Sequence, residues 1–421
     1  MLNVFLNALR SCGAVLFACT LIASGASAQN NPIKVGMSLA LTGGSAPVGK
    51  MVQAAVELWR DDVNGKGGLL GRQIQLIVYD DQSNPSNVPG LYTKLITLDK
   101  ADLLLGPVAT NFVAAAMPVI IQNKKMTISF TATGINRKFK YDKYFSMLPA
   151  GTSGDNAFSD GFFEIAARQN PKPQTVAILA ADAEFGHSVA QGAREELKKH
   201  GFKLIFDRSY PPSTTDFLPV MRAVKAVDAD IVYVGAYPPD TAGIVRAANE
   251  VGLTPKIFGG AMIGLVVTPI KVSLGPIANG LLIHEAFVRS TKLNFPGLDD
   301  LMTRYQAKAP ELKTDPAGYS FVPLGYAAPQ VLAQAVAATK SLDHDVLAKY
   351  IHSNKFSTVV GDMEFGKDGE WSKPRMVLTQ FQNVKPNDLL QFKAGENQPV
   401  LWPPEYATGK IIYPYADARK K

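Results

Sequence analysis

The sequence predicts an α/β fold made of two doubly wound parallel-sheet lobes that are joined by a three-crossing hinge. Three observations predict it: the composition, a repeating strand and helix pattern, and a restart of that pattern near residue 150. Of the 421 residues, 47% are hydrophobic and 19% are charged, which is typical of a globular protein with a large core. Disorder, collagen-like repeats and coiled coil are excluded, and the length predicts two or three domains.

The first 28 residues read as a signal peptide that is not part of the fold. Arg10 precedes a mostly apolar run from Ala14 to Ala23, and Ala26-Ser27-Ala28 supplies the small residues of a cleavage site. This run is too short to span a membrane, and a lipoprotein start at Cys19 is a minority alternative. We therefore expect a mature chain that begins at Gln29 and is located in the periplasm.

The next segments establish the repeat that defines the first lobe. Short runs rich in Val, Ile and Leu alternate with helix-periodic segments, and Gly, Pro, Asn and Asp mark the turns between them. Such alternation predicts a parallel sheet that is covered on both faces. The predicted strands are 33–39, 73–79, 103–105, 126–130 and 144–148, and the predicted helices are 48–64, 87–99 and 112–123.

The same alternation restarts after the turn at 149–151 and predicts a second lobe. Its strands are expected at 176–179, 203–206, 231–234 and 256–258, and its helices at 157–168, 188–200, 217–227 and 241–251. A strand at 281–283 is expected to lead out of the second lobe. The chain then returns to the first lobe as helices at 298–307, 325–338 and 346–352, and a strand at 359–365 is expected to cross back to the second lobe. We assign 29–149 plus 284–358 to lobe 1, 150–283 plus 359–395 to lobe 2, and 396–421 to a C-terminal surface strap.

Composition and motifs argue against catalysis and against metal or cofactor binding. Both cysteines, Cys12 and Cys19, lie in the leader, so the exported chain has no thiol for catalysis, zinc or an iron–sulfur cluster. There is no G-x-S-x-G or H-E-x-x-H motif, and the five histidines lack metal-ligand spacing. The basic run at 137–144 reads as a solvated loop, so no nucleic-acid partner is expected.

Two turns at strand ends carry the most suggestive polar residues. The turn at 106–110 ends one strand and opens a helix, so Thr110 can offer its hydroxyl and nearby amides to an anion at the positive end of the helix dipole. The turn at 130–134 follows the next strand and offers the same chemistry through Thr131, Ala132 and Thr133. Together they would form a neutral carboxylate cradle, and simple helix capping is the alternative interpretation.

Five short motifs, in order along nearly the whole mature chain, carry a family resemblance. The sequence resembles the leucine/isoleucine/valine-binding family, whose members are exported solute-binding proteins of ABC importers. The resemblance implies the type I periplasmic binding fold, which is two-lobed and closes about a hinge. The motifs are Ile33-Lys34-Val35-Gly36 with Leu41-Thr42-Gly43, Asn64-Gly65-Lys66-Gly67-Gly68 with Gly71-Arg72, Val78-Tyr79-Asp80-Asp81-Gln82, Leu105-Gly106-Pro107, and Gly361-Asp362-Met363-Glu364-Phe365.

The resemblance also implies roles for individual residues at the cleft. Position by position, it implies a carboxylate-binding hydroxyl at Thr110, a second carboxylate turn at Thr131, Ala132 and Thr133, and aromatic walls at Phe185 and Tyr237. The family's acid that pairs with a ligand ammonium falls on or beside Ala261, and a pocket tyrosine falls near Val48. Neither position keeps the family's residue, so a carboxylate with an apolar or aromatic body is favoured over an amino acid.

These observations predict a non-catalytic, monomeric solute-binding protein that delivers a small carboxylate ligand to an inner-membrane ABC permease. The alternative within this class is a branched-chain amino-acid binder in which Asp240 or another acid replaces the missing partner. The alternative from another class is an extracytoplasmic ligand-sensing domain. An exported hydrolase is a third reading, for which the sequence offers no nucleophile and base.

Overall fold

The chain forms two open sheets, each covered by helices on both faces. The computed structural model describes residues 31–152 and 154–420, and the predicted signal peptide at 1–28 lies outside these described residues. One sheet has five strands and the other has seven. The predicted two-lobed α/β fold is confirmed.

The first sheet is entirely parallel, with the strand order β2-β1-β3-β4-β5. Its three short strands are buried along their whole length, as is typical of a parallel sheet that is covered on both faces. The strands are β1 Ile33–Leu39, β2 Ile74–Asp80, β3 Leu103–Leu105, β4 Thr127–Ser129 and β5 Tyr144–Ser146. The helices between them are α1 Ala46–Gly65, α2 Val88–Thr97, α3 Thr110–Gln122 and α4 Ile135–Phe139.

The second lobe repeats this arrangement. Its parallel strands follow the order β10-β9-β8-β6-β7, and the register between β6 and β7 shifts at Val176 and Ala177. The strands are β6 Thr175–Ala181, β7 Lys203–Tyr210, β8 Ile231–Ala236, β9 Ile257–Met262 and β10 Leu282–Glu285. The helices are α5 Asp160–Ala167, α6 Glu184–Lys199, α7 Leu218–Ala226, α8 Pro238–Glu250 and α9 Thr268–Leu274.

After β10 the chain returns to the first lobe as three helices, α10 Leu298–Leu312, α11 Val322–Thr339 and α12 His344–Ser353. Helix α11 is buried along most of its length and packs against α1. The approach is close at Gly325, where an added Cβ would lie 3.0 Å from the Cβ of Ala55. These helices therefore complete the core of the first lobe.

The segment expected to cross back as one strand, 359–365, does not do so. It is part of a hairpin of β11 Lys355–Thr358 and β12 Gly361–Glu364, whose buried Phe356 and Met363 join the first-lobe core. The turn before Gly361, whose φ is +86°, divides what the sequence presents as one strand-like run. The strand that enters the second sheet is β13 Val377–Gln380, which pairs antiparallel with β10.

The C-terminal residues are more ordered than the predicted irregular strap. After α13 Leu390–Ala394, β14 Val400–Trp402 pairs antiparallel with β13 and extends the second sheet. The last helix, α14 Tyr415–Ala418, packs on the same lobe, where the Tyr415 and Phe258 rings are 5.7 Å apart. The tail therefore belongs to the second lobe's structure as an edge strand and a short helix.

The two lobes meet where the carboxyl ends of both sheets face each other. The first and third chain segments that cross between the lobes are hydrogen-bonded to each other, because the Arg375 backbone amide donates to the Pro149 carbonyl at 2.8 Å. Across the cleft, the Thr133 and Ser188 hydroxyls are 3.1 Å apart. Arg137 forms an ion pair with Asp155. The cleft is therefore closed in this structure.

None of the helices in the described part of the chain combines the length and the apolar character that crossing a bilayer requires.

Candidate ligand-binding cleft

A cavity lies between the lobes, and six of the seven predicted site residues line it. Its space free of protein atoms, including the opening to solvent, is about 830 Å³. Most of its wall is apolar. The six predicted residues that line it are Thr110, Thr131, Ala132, Thr133, Phe185 and Tyr237, and the other apolar wall residues include Val48, Val108, Phe112, Leu148, Phe158, Ile263, Val266, Phe321 and Met376.

The two threonine turns form a small polar site on the first-lobe side. Thr110 is the first residue of α3 and follows Ala109, whose φ of +76° turns the chain sharply from β3 into the helix. The Thr133 amide donates to the Thr110 Oγ1 at 3.2 Å, and the two hydroxyl oxygens are 3.4 Å apart. Thr131 Oγ1 accepts from the Ala109 amide at 3.3 Å. The turns are therefore held together by direct hydrogen bonds.

This polar site is suited to an anion without using a cation. The first amides of a helix have no partner within the helix, and the positive end of its dipole lies there. Thr110 and Thr133 are nearly fully buried, at 5% and 2% exposed. Among the described residues that line the cavity there is no Lys or Arg. An anion bound there would be held by hydroxyl and amide donors.

The aromatic wall comes from the second lobe. Phe185 lies in the first turn of α6, and its ring centroid is 5.7 Å from that of Tyr237, which immediately precedes α8. The Phe185 amide donates to the Tyr237 hydroxyl at 3.2 Å. Phe158 extends the wall, with its ring 5.3 Å from that of Phe185. Burial raises the pKa of the Tyr237 hydroxyl, so this side chain is neutral and can donate a hydrogen bond.

Ala261 is the one predicted site residue that does not line the cavity. It lies within β9 and is buried in the second-lobe core, because the strand continues to Met262 before the chain reaches the cleft. The cavity is instead lined by Ile263. Asp240, the alternative acid, is also absent from the cavity wall and accepts a hydrogen bond from the Tyr210 hydroxyl at 2.9 Å. Neither segment therefore supplies a carboxylate to the cavity.

Two polar residues at the carboxyl end of β10 line the cavity and belong to none of the sequence motifs described above. His284 and Glu285 both line the cavity, and both are 2% exposed. The sequence signal that could have identified them is a pair of adjacent polar residues directly after the apolar run Leu281 to Ile283. Their significance depends on partners far away in the sequence.

Glu285 is the only carboxylate among the described cavity-lining residues, and both of its oxygens accept hydrogen bonds from the protein. Its Oε2 accepts from the Ser320 hydroxyl at 2.6 Å, and its Oε1 accepts from the Gln398 amide. The Lys271 ammonium lies 3.6 Å from Oε1 and is itself only 7% exposed. The charge of Glu285 is therefore balanced within the protein.

The described residues contain no group of three or more His, Asp or Glu side chains placed to hold a metal ion. The cleft thus offers hydroxyls, amides, one imidazole and aromatic rings for ligand contacts.

A family model described as periplasmic binding protein matches residues 32–385. The chain belongs to the periplasmic binding protein family. The Leu/Ile/Val-binding protein of Escherichia coli strain K12 is 25% identical over 357 residues, which cover 85% of this chain and 93% of that protein. Most of this periplasmic binding protein is therefore similar to a protein that is named for binding leucine, isoleucine and valine.

Solved structures confirm the type I periplasmic binding fold. A branched-chain amino acid transporter substrate-binding protein from Streptococcus pneumoniae, solved with isoleucine, has a TM-score of 0.70 at 20% identity and covers 88% of this chain and 100% of that one. A solute-binding protein of an ABC transporter from Rhodopseudomonas palustris, solved with 3,4-dihydroxybenzoic acid, also has a TM-score of 0.70 at 20% identity. That match covers 91% of this chain and 98% of the other.

Proposed function

We propose that this protein captures a small carboxylate with an apolar or aromatic body between its lobes and delivers it to an inner-membrane ABC permease. It acts in the periplasm as a monomer, after cleavage of its signal peptide, and catalyses no reaction. Thr110 and the turn at Thr131, Ala132 and Thr133 bind the carboxylate. Phe185 and Tyr237 contact the body of the ligand.

The observation that carries this proposal is a buried donor site that opens into an apolar cavity. Thr110 and Thr133 bring two hydroxyls within 3.4 Å of each other at the start of α3. A buried carboxylate must be hydrogen-bonded, because removing it from water without partners is costly. The hydroxyls and the free amides of the first helical turn supply such partners, and the surrounding apolar wall favours a ligand whose remainder is apolar.

The state of Glu285 supports a ligand without an ammonium group. An α-ammonium in this cavity would need a carboxylate partner, since an unpaired buried charge is strongly destabilising. Both Glu285 oxygens already accept hydrogen bonds, and Lys271 balances the charge. The ammonium of an amino-acid ligand would therefore compete with Lys271 for the charge of Glu285, whereas a simple carboxylic acid brings no cation into the cavity.

Branched-chain amino-acid binding is the second candidate, and the curated relative described above favours it. In that case the ligand ammonium would be accommodated by rearrangement of the cluster around Glu285. The two candidates therefore differ in whether the ligand carries a cation.

A thermal-shift comparison separates them. The protein is unfolded and refolded to remove any retained ligand, and leucine, isoleucine, valine and phenylalanine are then tested beside their 2-oxo analogues and beside hydroxylated benzoates and cinnamates. A ligand at about 1,000 times its Kd stabilises the folded state by about 4 kcal/mol, which corresponds to a rise in Tm of about 5 °C for a chain of this length. We expect acids without an amino group to give this rise.

Stabilisation by the amino acids alone would contradict the proposal and would assign the protein to branched-chain amino-acid uptake. Delivery is tested separately, by adding the ligand-loaded protein to vesicles that contain the permease encoded beside it. ATP-dependent accumulation of the ligand is expected. Ligand binding without accumulation would favour the sensing alternative.

A further inference from the structure

The imidazole of His284 is buried beside the ligand cavity and has no hydrogen-bond partner among the described residues. Its side chain is fully shielded from solvent, and neither ring nitrogen has a partner within the described part of the chain. The closest carboxylate oxygen, Oδ1 of Asp160, is 3.9 Å from Nε2, which is too far for a hydrogen bond. That oxygen accepts instead from the Gly161 amide at 2.6 Å.

An imidazole left in this condition is energetically unfavourable. Burial lowers the pKa of His284 to about 3, so the ring is neutral and carries one N–H donor and one acceptor nitrogen. A buried polar group without a partner costs about 1–3 kcal/mol. His284 is one of the residues that line the ligand cavity. In a binding protein, an unsatisfied donor and acceptor on such a residue indicate a contact that the ligand completes.

We propose that His284 is a ligand-recognition residue that hydrogen-bonds a hydroxyl group on the part of the ligand that faces the second lobe. A hydroxyl matches a neutral imidazole because it can either donate to the bare nitrogen or accept from the N–H. This proposal rests on the carboxylate-binding function proposed above and narrows its ligand to a hydroxylated acid.

The position of His284 in the fold gives this contact a defined place. Thr110 and Thr133 belong to the first lobe, whereas His284 ends β10 of the second-lobe sheet, and both groups line the same cavity. Between them the wall is apolar, and the Phe158 ring lies edge-on to the imidazole with the centroids 6.3 Å apart. An aromatic acid with a ring hydroxyl satisfies the carboxylate site, the apolar wall and His284 together.

Matched pairs of acids test the proposal by calorimetric titration. The probes are benzoate with 3- and 4-hydroxybenzoate, and cinnamate with 3- and 4-hydroxycinnamate. In the parent protein we expect at least one hydroxylated member to bind about tenfold more tightly than its unhydroxylated partner. In His284→Leu that advantage should fall below about twofold, while the Kd of the unhydroxylated acid changes little.

Two further variants control for packing. His284→Gln keeps a donor and an acceptor, so it should retain part of the hydroxyl advantage. Phe158→Leu alters the apolar wall beside the imidazole, so it should weaken both members of a pair by similar factors and leave their ratio unchanged. If Phe158→Leu removes the advantage as completely as His284→Leu does, the effect is one of cavity shape and the proposal is wrong.

A measurement on the unaltered protein covers the case in which a variant fails to fold. Long-range ¹H–¹⁵N spectra report the state of each histidine ring, and His187, His200, His344 and His352 serve as internal references. The His284 ring nitrogens should shift with the hydroxylated acid and not with its partner. If the acids bind but neither affinity nor these signals respond to the hydroxyl, the role of His284 is refuted; if no acid binds, the carboxylate function itself fails.

Discussion

Replacing Thr110 by valine tests the carboxylate site with almost no change in side-chain shape. The substitution keeps the branched Cβ and removes the single oxygen that lies 3.4 Å from Thr133 Oγ1 and accepts from the Thr133 amide at 3.2 Å. Because the site is 5% exposed at this residue, water cannot readily replace the lost donor. We therefore expect a specific loss of affinity for carboxylates.

The expected size of this loss follows from the cost of the missing donor. Hydrogen bonds to charged groups contribute about 1.5–3 kcal/mol, and each 1.4 kcal/mol corresponds to a tenfold change in Kd. The Kd of the cognate acid should therefore rise about 10- to 100-fold in Thr110→Val. The folded protein also loses the acceptor for the Thr133 amide, so a fall in Tm of one or two degrees is expected.

Calorimetric titration of both the variant and two controls completes the test. Thr110→Ser retains the hydroxyl and should bind within about threefold of the parent, because the donor to the charged group remains. Thr97→Val makes the same chemical change on the exposed face of α2, where the hydroxyl bonds only to the Thr93 carbonyl at 2.8 Å, and should leave the Kd unchanged. If Thr110→Val also binds as tightly as the parent, the carboxylate does not lie at α3.

Three other expectations concern closure and stability. Ligand binding should lower the radius of gyration measured by small-angle scattering, because hinge rotation brings the lobes together; an unchanged radius at saturation would oppose a hinge. Arg137→Gln removes an ion pair across the cleft. Because the arginine is half exposed, we expect only a two- to fivefold rise in Kd. An unchanged Kd would refute a role for this ion pair in closure. His344→Gln should reduce the loss of stability between pH 6.5 and 4, measured by chemical denaturation at each pH.

The sign of the pH effect at His344 follows from its burial. Burial lowers the pKa of its imidazole to about 4, and its Nδ1 accepts from the Met126 amide at 3.0 Å. Below pH 6.5 the unfolded chain takes up a proton that the folded chain does not, so acidification destabilises the folded state. At 1.4 kcal/mol per pKa unit the parent should lose about 3 kcal/mol more than the variant by pH 4. Parallel stability curves would contradict this reasoning.

Local sequence signals were sufficient for the parallel strands of both sheets, for most of the helices between them and for the adjacency of the threonine turns. Apolar runs of Val, Ile and Leu followed by turn residues identify parallel strands, and the carboxyl ends of neighbouring strands must meet at one edge of a sheet. Because β3 and β4 are neighbours, the turns that follow them are adjacent. Thr110 and Thr133 could therefore be placed together from the sequence, and their hydroxyls lie in contact.

The sequence was less informative where a shift of one or two residues decides which side chain reaches the cavity, or where packing decides which lobe a strand joins. Ala261 lies in β9, two positions before the residue that reaches the cavity, and a shift this small cannot be read from an apolar segment. The run at 359–365 has the composition of a strand that could join either lobe. Its assignment to the first-lobe hairpin depends on a turn and on packing against distant helices.

By itself the sequence determined the fold class, the two lobes and the adjacency of the two threonine turns proposed to bind a carboxylate, because each depends on periodicity and on turns within a few residues. Only the tertiary structure decided the state of the polar residues at the end of β10. The charge of Glu285 is balanced by Lys271, and its carboxylate accepts a hydrogen bond from Gln398, 113 residues further along the chain. The imidazole of His284 beside it has no partner among the described residues. Whether a buried polar group is satisfied depends on which distant side chains the fold brings to it, and this information is not local to any segment.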